Sequence, residues 1–147
     1  MDALDRKILN IMQKNSRITV KQIAEECFIS SPSVSVRLQN LEGLGYIRIY
    51  QAILDHQKLG FLIKAYVNCA VNAKDKQDFY RYIEEIPNVV ECDCITGDYS
   101  MLLKVYFTNT IELDEFITDL QRFGDTKTHI VFSTNVGPRG LQIQINE

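Results

Sequence analysis

Small hydrogen-bonding side chains are concentrated in residues 29–47, ISSPSVSVRLQNLEGLGYI. Hydroxyl, amide and guanidinium groups can hydrogen-bond to the edges of nucleic-acid bases, and an apolar side chain can contact a thymine methyl group. If these groups share one face of a helix, they could read a DNA duplex through its major groove. The candidate residues are Ser31, Ser33, Ser35, Val36, Arg37 and Asn40.

The alternation S-V-S-V within this stretch is typical of a strand, but the other residues of the stretch indicate a helix. Ser30 or Ser31 can serve as an N-cap, and Pro32 then falls in the first turn of a helix, where its missing N–H costs little. Gly43 and Gly45 provide a C-terminal stop. The apolar residues have the helical spacing i, i+4, i+7: Val34, Leu38 and Leu41. The sequence therefore favours a helix.

Two shorter helices are predicted before it. The first has apolar residues at helical spacing: Leu4, Ile8, Ile11 and Met12. Thr19 and Gln22 match a capping box at the start of the second helix, which covers roughly residues 20–27. About three residues separate it from the third helix, which is the arrangement of a helix-turn-helix. This motif projects the polar face of its last helix outward, where it can enter a groove of DNA.

Charge is unevenly distributed along the chain. Residues 1–50 carry seven Lys or Arg against five Asp or Glu, whereas residues 51–147 carry nine against fourteen. This asymmetry predicts separate roles for the two parts. In the first part, Lys21, Arg37 and Arg48 are candidates for phosphate contacts.

From Phe61 onward the apolar pattern changes to alternation and then repeats itself. A strand, a helix and a strand are followed by another strand, helix and strand, which is the order of a ferredoxin-like βαββαβ domain. We therefore predict an α+β chain: a winged-type helix-turn-helix domain, then a ferredoxin-like domain with a four-stranded antiparallel sheet. The predicted strands cover residues 61–71, 89–96, 101–107 and 128–136. The first predicted helix covers residues 79–86, and the second runs to residue 120 from a cap at Asn109 or Thr110.

One face of this sheet is left without helices. Its predicted residues are too apolar for a surface in water, so we expect a second subunit to cover them. They are Leu62, Tyr66, Val90, Cys92, Leu102, Tyr106 and Val131.

The predicted domain boundaries follow these changes of pattern. Residues 1–47 form the helix-turn-helix domain, residues 48–60 a linker strand or hairpin, and residues 61–137 the ferredoxin-like domain. Residues 138–147 form a C-terminal tail that can add a short strand.

Several motifs occur in the order found in one protein family. They are an L-D-x-x-I-L helix, R-L-x-x-L-E-x-x-G-Y-I, a linker ending in K-L-G, and I-T-G-D-Y at the central hairpin. With these motifs the chain resembles the Lrp/AsnC (feast/famine) transcription regulators over nearly its whole length. The resemblance implies a DNA-binding regulator of bacteria or archaea. It also implies a second domain that forms homodimers, often assembles them into octamers, and in many members binds an amino-acid effector between subunits.

The resemblance carries over to individual positions. Arg37 keeps one basic position of the family's recognition helix, but Val36 and Asn40 stand where many members have Arg or Lys. The family's G-D-Y-D turn corresponds here to Gly97, Asp98, Tyr99 and Ser100, with serine in place of the last acid. Effector contacts in the family come from this turn and from the last strand, here around Ser133 and Thr134.

The chemistry of an amino acid suits such a turn. A glycine lets backbone N–H groups approach a carboxylate, and Asp98 could hold an ammonium group. The alternative is that the Gly-Asp turn serves only the geometry of a hairpin.

Other site chemistry receives little support. Cys92 and Cys94 form C-x-C on a predicted strand, and His56 and His129 are remote from them in sequence, so we predict no metal site. No phosphate loop, metalloprotease motif or nucleophile elbow is present, so we expect no cofactor and no enzymatic activity. No apolar run approaches the length of a membrane span, and the cysteines are few; both features favour the cytoplasm.

The sequence leaves three alternative functions open. Some haem-pathway decarboxylases resemble the same family, but such an enzyme would need several cationic residues for the tetrapyrrole carboxylates. A ligand-independent DNA-architectural protein is the second alternative. An RNA-binding sheet is the third, although the strand SMLLKVYF lacks the aromatic motif typical of that class.

Overall fold

The computed structural model describes residues 1–145, which divide into two compact units. The helical unit comprises residues 1–53 together with residues 136–145. The sheet unit comprises Leu54–Asn135. The tail that the sequence suggested as a separate segment therefore belongs to the helical unit.

Three helices build the helical unit: α1 (Ala3–Lys14), α2 (Val20–Cys27) and α3 (Ser31–Gly43). All three are capped by side chains at their N-termini, which satisfies backbone N–H groups that have no partner inside the helix. Asp2 and Asp5 form a capping box on α1, as Thr19 and Gln22 do on α2. Ser30 accepts a hydrogen bond from the Ser33 N–H at the start of α3. The S-V-S-V stretch is thus helical, as predicted.

A small aliphatic core holds these helices together: Ile8, Leu9, Ile23, Ala24, Cys27, Val34 and Leu41. The small side chains of Ala24 and Cys27 let α3 approach α2 closely. Between α2 and α3 the chain turns at Phe28, which has a left-handed backbone conformation with φ of 57°. These elements form the predicted helix-turn-helix.

The strand or hairpin predicted in residues 48–60 is absent, because residues 44–62 contain neither helix nor strand. Among its residues up to 145, the helical unit has no strand that could offer hydrogen bonds to the backbone of residues 48–53. Tyr50 is held instead by its hydroxyl, which donates a 2.6 Å hydrogen bond to Glu42. The residues DHQKLG form the predicted turn, in which Gly60 has φ of 89°. Among residues 138–145 the short strand considered from the sequence is also absent.

The sheet unit has the predicted ferredoxin-like topology. Its antiparallel strands lie in the order β2-β3-β1-β4. The strands are β1 (Ile63–Cys69), β2 (Val89–Cys94), β3 (Met101–Phe107) and β4 (Thr126–Ile130), and the helices are α4 (Lys76–Glu84) and α5 (Thr110–Leu120). The helices pack on one face, over Ala65, Val67, Leu103 and Val105, all fully buried.

The last strand is shorter than predicted. It ends at Ile130 instead of residue 136, and the Val131 N–H beyond it donates to the Lys64 carbonyl, one residue from the start of β1 at Ile63. Phe132, one residue later, has its side chain 99% exposed.

The prediction for Cys92 is wrong, because Cys92 packs against the helix-side core instead of lying on the open face. A register irregularity between Val89 and Glu91 causes this change. It places Cys92 opposite the buried Leu103 and turns Glu91 and Asp93 to the open face. The open face is therefore more polar than predicted, and Glu91 forms an ion pair with Lys104 across the strands.

Candidate nucleic-acid interface and effector turn

The exposed face of α3 is centred on Val36, whose side chain is 57% exposed. Ser33 and Asn40 are also exposed, whereas Val34 and Leu41 are buried on the opposite side. Gln39 lies on the same exposed face, three residues after Val36. It was missed from the sequence, although the helical spacing from Val36 could have found it. The face thus presents a hydroxyl, two amides and an apolar group.

The three predicted serines differ in availability. Ser33 is exposed, and its hydroxyl shares a 2.9 Å hydrogen bond with that of Ser30. Ser31 and Ser35 are half-buried on the flank of α3, and the Ser35 hydroxyl donates to the Ser31 carbonyl at 3.2 Å. Ser33 is therefore the serine that faces solvent most directly.

Arg37 points toward α1. Its Nη1 lies 2.8 Å from Asp2 Oδ2 and 2.6 Å from Asp5 Oδ1. These hydrogen bonds raise the pKa of Arg37, the Asp2 bond contributing most. The pKa of Asp2 is lowered, first by the Asp5 N–H that its carboxylate accepts and then by Arg37. Two carboxylates thus compensate the cation of the recognition helix.

Lys21 and Arg48 are the other predicted basic contacts. Lys21 lies in the first turn of α2, Arg48 follows α3, and both side chains are exposed. In the part of the chain from residue 1 to residue 145, neither makes an ion pair within 4.0 Å.

The predicted effector turn joins β2 to β3. Gly97 has φ of 110°, a conformation that favours glycine, and Asp98 is exposed. The Ile95 N–H donates to the Ser100 carbonyl at 2.9 Å and closes the turn. Gly97 and Asp98 therefore present free surface at the tip, while Tyr99 is half-buried.

Ser100 has a structural task. Its Oγ accepts a 2.9 Å hydrogen bond from the Val71 N–H and lies 3.0 Å from the Val71 carbonyl, to which it donates. The hydroxyl therefore fastens the hairpin to the chain just beyond β1. An ionised acid could accept from the N–H but could not donate to the carbonyl. This contact explains how a serine fits here.

Ser133 and Thr134 lie at the other end of the sheet. Lys64, near the start of β1, donates to Thr134 Oγ1 at 2.9 Å. The effector turn lies at the opposite end of β1, because it leads into Met101, which pairs with Cys69. The five residue steps from Lys64 to Cys69 along the strand span roughly 17 Å. A single chain therefore does not bring the turn and Ser133 together, and a site that uses both needs two chains.

The thiols and imidazoles form no metal site among residues 1–145, where no group of three potential ligands is close enough. Burial raises the pKa of Cys69 and of Cys92 to about 11 each, so both stay protonated thiols at neutral pH. His56 stacks on Tyr106 with ring centroids 3.9 Å apart, and His129 is exposed on β4. Within the same residues no helix combines the length and apolarity that a bilayer crossing requires.

Two family models match the chain, one on each unit. Residues 1–48 match a winged helix-turn-helix DNA-binding domain, and residues 64–140 match the Lrp/AsnC ligand-binding domain.

Named proteins of similar sequence are transcription regulators. The HTH-type transcriptional regulator LrpC of Bacillus subtilis is 30% identical over 133 residues, covering 90% of this chain and 92% of that protein. The proline dehydrogenase transcriptional activator of Rhodobacter capsulatus is 36% identical over 108 residues, covering 71% and 70%.

Solved structures have the same fold. That of B. subtilis LrpC superposes with a TM-score of 0.88 at 29% identity and covers 94% of this chain and 99% of that one. A transcriptional regulator from Neisseria meningitidis, in complex with L-Met, has a TM-score of 0.89 at 24% identity and covers 99% and 97%.

Proposed function

The chain belongs to the Lrp/AsnC family of transcriptional regulators, and we propose that it reads its operator through uncharged side chains of α3 and responds to an amino acid held between subunits. Its function is thus DNA-binding transcription regulation, with a helix-turn-helix and a ligand-binding domain. The named relatives are regulators, which favours a non-enzymatic role in the cytoplasm.

One observation carries the proposal for DNA: Arg37 is bonded to Asp2 and Asp5. An arginine held in this way positions α3 against α1 instead of reaching a base. Base reading then falls to the exposed face of Ser33, Val36, Gln39 and Asn40. Amide side chains pair with adenine through its N6 and N7, and a valine can contact a thymine methyl group. We therefore expect an operator rich in A·T pairs at the contacted positions.

Contacts to the DNA backbone come from other residues. Lys21 and Arg48 are exposed cations, and Ser31 and Ser35 flank the N-terminal end of α3, where backbone N–H groups attract phosphate. With few cations per subunit, the affinity of one unit should fall only gently with salt.

Assembly supplies the remaining affinity. A homodimer would place two α3 helices in successive major grooves about 34 Å apart on a pseudo-palindromic site. Association of dimers into an octamer would add further helices on the same DNA, which raises the affinity without new contacts per subunit.

The proposal for the effector rests on the turn geometry and on the L-Met bound to the Neisseria regulator. The backbone around Gly97 would receive the carboxylate of an amino acid, Asp98 its ammonium group, and Tyr99 would pack beside it. Ser133 and Thr134 would come from a second subunit, since they lie at the far end of the sheet in their own chain. Ser100 supports this site by holding the turn.

Selection of bound DNA followed by affinity measurements tests the α3 assignment. Asn40→Ala and Gln39→Ala should each weaken binding by about 1–3 kcal/mol and relax the preference for one base pair. Gln77→Ala, on an exposed position of α4, is the matched control and should change nothing. Unchanged affinity and base preference in both α3 variants would contradict the assignment.

Calorimetry with the individual amino acids tests the effector site. At least one of them should bind the wild type, and Asp98→Asn should weaken that binding while Asp78→Asn on α4 leaves it intact. The proposal fails if no amino acid binds the wild type, or if Asp98→Asn binds the amino acid as tightly as Asp78→Asn and the wild type do.

A further inference from the structure

Residues 140–145 lie along α1 in the direction opposite to the helix. Arg6 donates to the Gln144 carbonyl at 2.9 Å, Asn10 bonds Ile143, and Gln13 donates to the Leu141 carbonyl at 2.9 Å. Seven residues of a helix rise about 10.5 Å, and three residues of extended chain span about 10 Å. The spacing of the three side chains along α1 therefore equals the spacing of the backbone groups that they bind. We call residues 140–145 the strap.

Asn10 makes the central contact. Its amide nitrogen donates to the Ile143 carbonyl at 2.8 Å, and its amide oxygen accepts from the Ile143 N–H at 2.9 Å. One side chain thus satisfies both backbone groups of one strap residue, as a neighbouring strand would do. Arg6, Asn10 and Gln13, at positions i, i+4 and i+7 of α1, thus supply the hydrogen bonds that a partner strand would otherwise make to this backbone.

The strap also adds apolar contact. Ile143 is half-buried and packs against the helical core, whereas Leu141 on the same alternation is 85% exposed. Gly140 permits the approach, because a Cβ at this position would overlap the side chain of Gln13. The fit is therefore specific to Ile143 and Gly140.

Helix α1 holds the strap and the recognition helix with different side chains. Arg6, Asn10 and Gln13 bind the strap. Asp2, the N-cap residue of α1, and Asp5, in its first turn, bind Arg37 of α3. A shift of α1 on loss of the strap would therefore move the two carboxylates that orient α3, through a continuous series of contacts.

We propose that residues 140–145 are a detachable strap that holds α1, and through it α3, in the geometry that binds DNA. The chain reaches the strap directly from the sheet unit, and only six residues separate Thr134 from Leu141. Occupancy of an effector site that includes Ser133 and Thr134 would act on DNA affinity by changing how often the strap is seated; this step rests on the proposed function. A ligand acts in this way only by binding the two states unequally.

Affinity for operator DNA without amino acid, and hydrogen exchange of α1 amides, test the strap in the full-length protein. Asn10→Ala and Ile143→Ala should weaken DNA binding about five- to tenfold and speed exchange in α1 by about tenfold, the scale of one or two lost contacts. Leu141→Ala and Gln142→Ala are matched controls on the strap and should stay within about twofold of the wild type. Circular dichroism confirms folding, and Ile143→Val substitutes for Ile143→Ala if that variant unfolds.

The outcomes separate the strap from the effector. The strap proposal is wrong if Asn10→Ala and the Ile143 variant both bind DNA as tightly as the wild type and exchange their α1 amides at the wild-type rate. This conclusion does not depend on whether any amino acid binds. If L-Met or another amino acid shifts DNA affinity in the wild type, Asn10→Ala should bind that amino acid equally well but lose the shift; a retained shift overturns the coupling. If no amino acid binds the wild type, the effector site fails, while the first two measurements still decide the strap.

Discussion

The two units of this protein are stabilised in different ways. Among residues 1–145, the core of the sheet unit has fourteen buried apolar residues, several of them aromatic, whereas the helical unit has seven and no aromatic ring among them. A core as small as the second one leaves little margin of stability. The helical unit adds polar links: two capping boxes, the Arg37 ion pairs and the strap.

This difference bears on regulation. A polar link can be broken and remade at small cost, whereas a packed aromatic core cannot be rearranged in small steps. The unit that matches a DNA-binding domain is the one that depends on polar links. Polar substitutions should matter most in the helical unit and apolar ones in the sheet unit, and each of the following changes tests that contrast.

The largest effect is expected from Phe79→Ala in the sheet unit. Phe79 is fully buried and meets Phe123 edge to face, with ring centroids 5.5 Å apart. Removing it leaves a cavity and should lower the free energy of unfolding by about 3–5 kcal/mol in urea titrations. Phe132→Ala, at a side chain exposed to solvent, should change it by less than about 0.5 kcal/mol. Similar losses in the two variants would contradict the assigned core.

Ser100→Ala tests the exception, a polar link inside the sheet unit. The change leaves the Val71 N–H without its acceptor, so a loss of about 1–3 kcal/mol is expected. Ser16→Ala, at an exposed position after α1, serves as the control in the same urea titrations. A loss near zero would mean that water replaces the hydroxyl, and the difference between the two units in their dependence on polar links would then be larger.

Asp5→Asn compared with Asp78→Asn is the direct test of the ion pairs. Asp5 has 16% of its side chain exposed and bonds Arg37 at 2.6 Å, whereas Asp78 is 73% exposed and lies 3.4 Å from Arg81. We expect losses of about 1–2 kcal/mol for Asp5→Asn and about 0–0.5 kcal/mol for Asp78→Asn. Equal effects would remove the case for a special link between α1 and α3.

Much of the fold follows from local pattern. Apolar spacing and capping residues predict α1, α2 and α3, and the order of strands and helices predicts the ferredoxin-like sheet. The irregularity between Val89 and Glu91 has no signature in the sequence, so the alternation placed Cys92 on the wrong face. The end of β4 was misjudged because it depends on where its partner strand begins.

The candidate site was predictable in part. The exposed face of α3 follows from helical period, which also yields Gln39. The partners of Arg37 could not be predicted from the sequence, because Asp2 and Asp5 are more than thirty residues away and no local rule pairs them with it. The strap was open to misreading as a short strand, since L-Q-I-Q-I alternates, but its partners are side chains of a helix.

The smallest effect is expected from acid, and it again separates the units. Asp2 accepts the Asp5 N–H and Arg37, and its pKa is lowered below the usual 3.8. In the sheet unit, the hydroxyl and then the N–H of Thr108 lower the pKa of Glu112. A carboxyl whose folded pKa is depressed contributes stability that is full above its unfolded pKa and disappears as pH falls through its folded pKa. Both contributions should therefore fade below about pH 4.

Melting temperatures between pH 6 and pH 3, with hydrogen exchange to assign each change to a unit, measure this effect. Asp2→Asn should destabilise α1 more at pH 6 than at pH 3, because the wild type progressively loses the same interaction as its Asp2 carboxylate is protonated. Glu112→Gln should have the same pH-dependent destabilising effect on α5 and no effect on α1. Since Asp2 also holds Arg37, Asp2→Asn alone should weaken DNA binding at pH 6, and this deficit should narrow toward lower pH. If Asp2→Asn and Glu112→Gln have the same DNA affinity at every pH, the hydrogen bonds of Asp2 stabilise α1 without positioning α3.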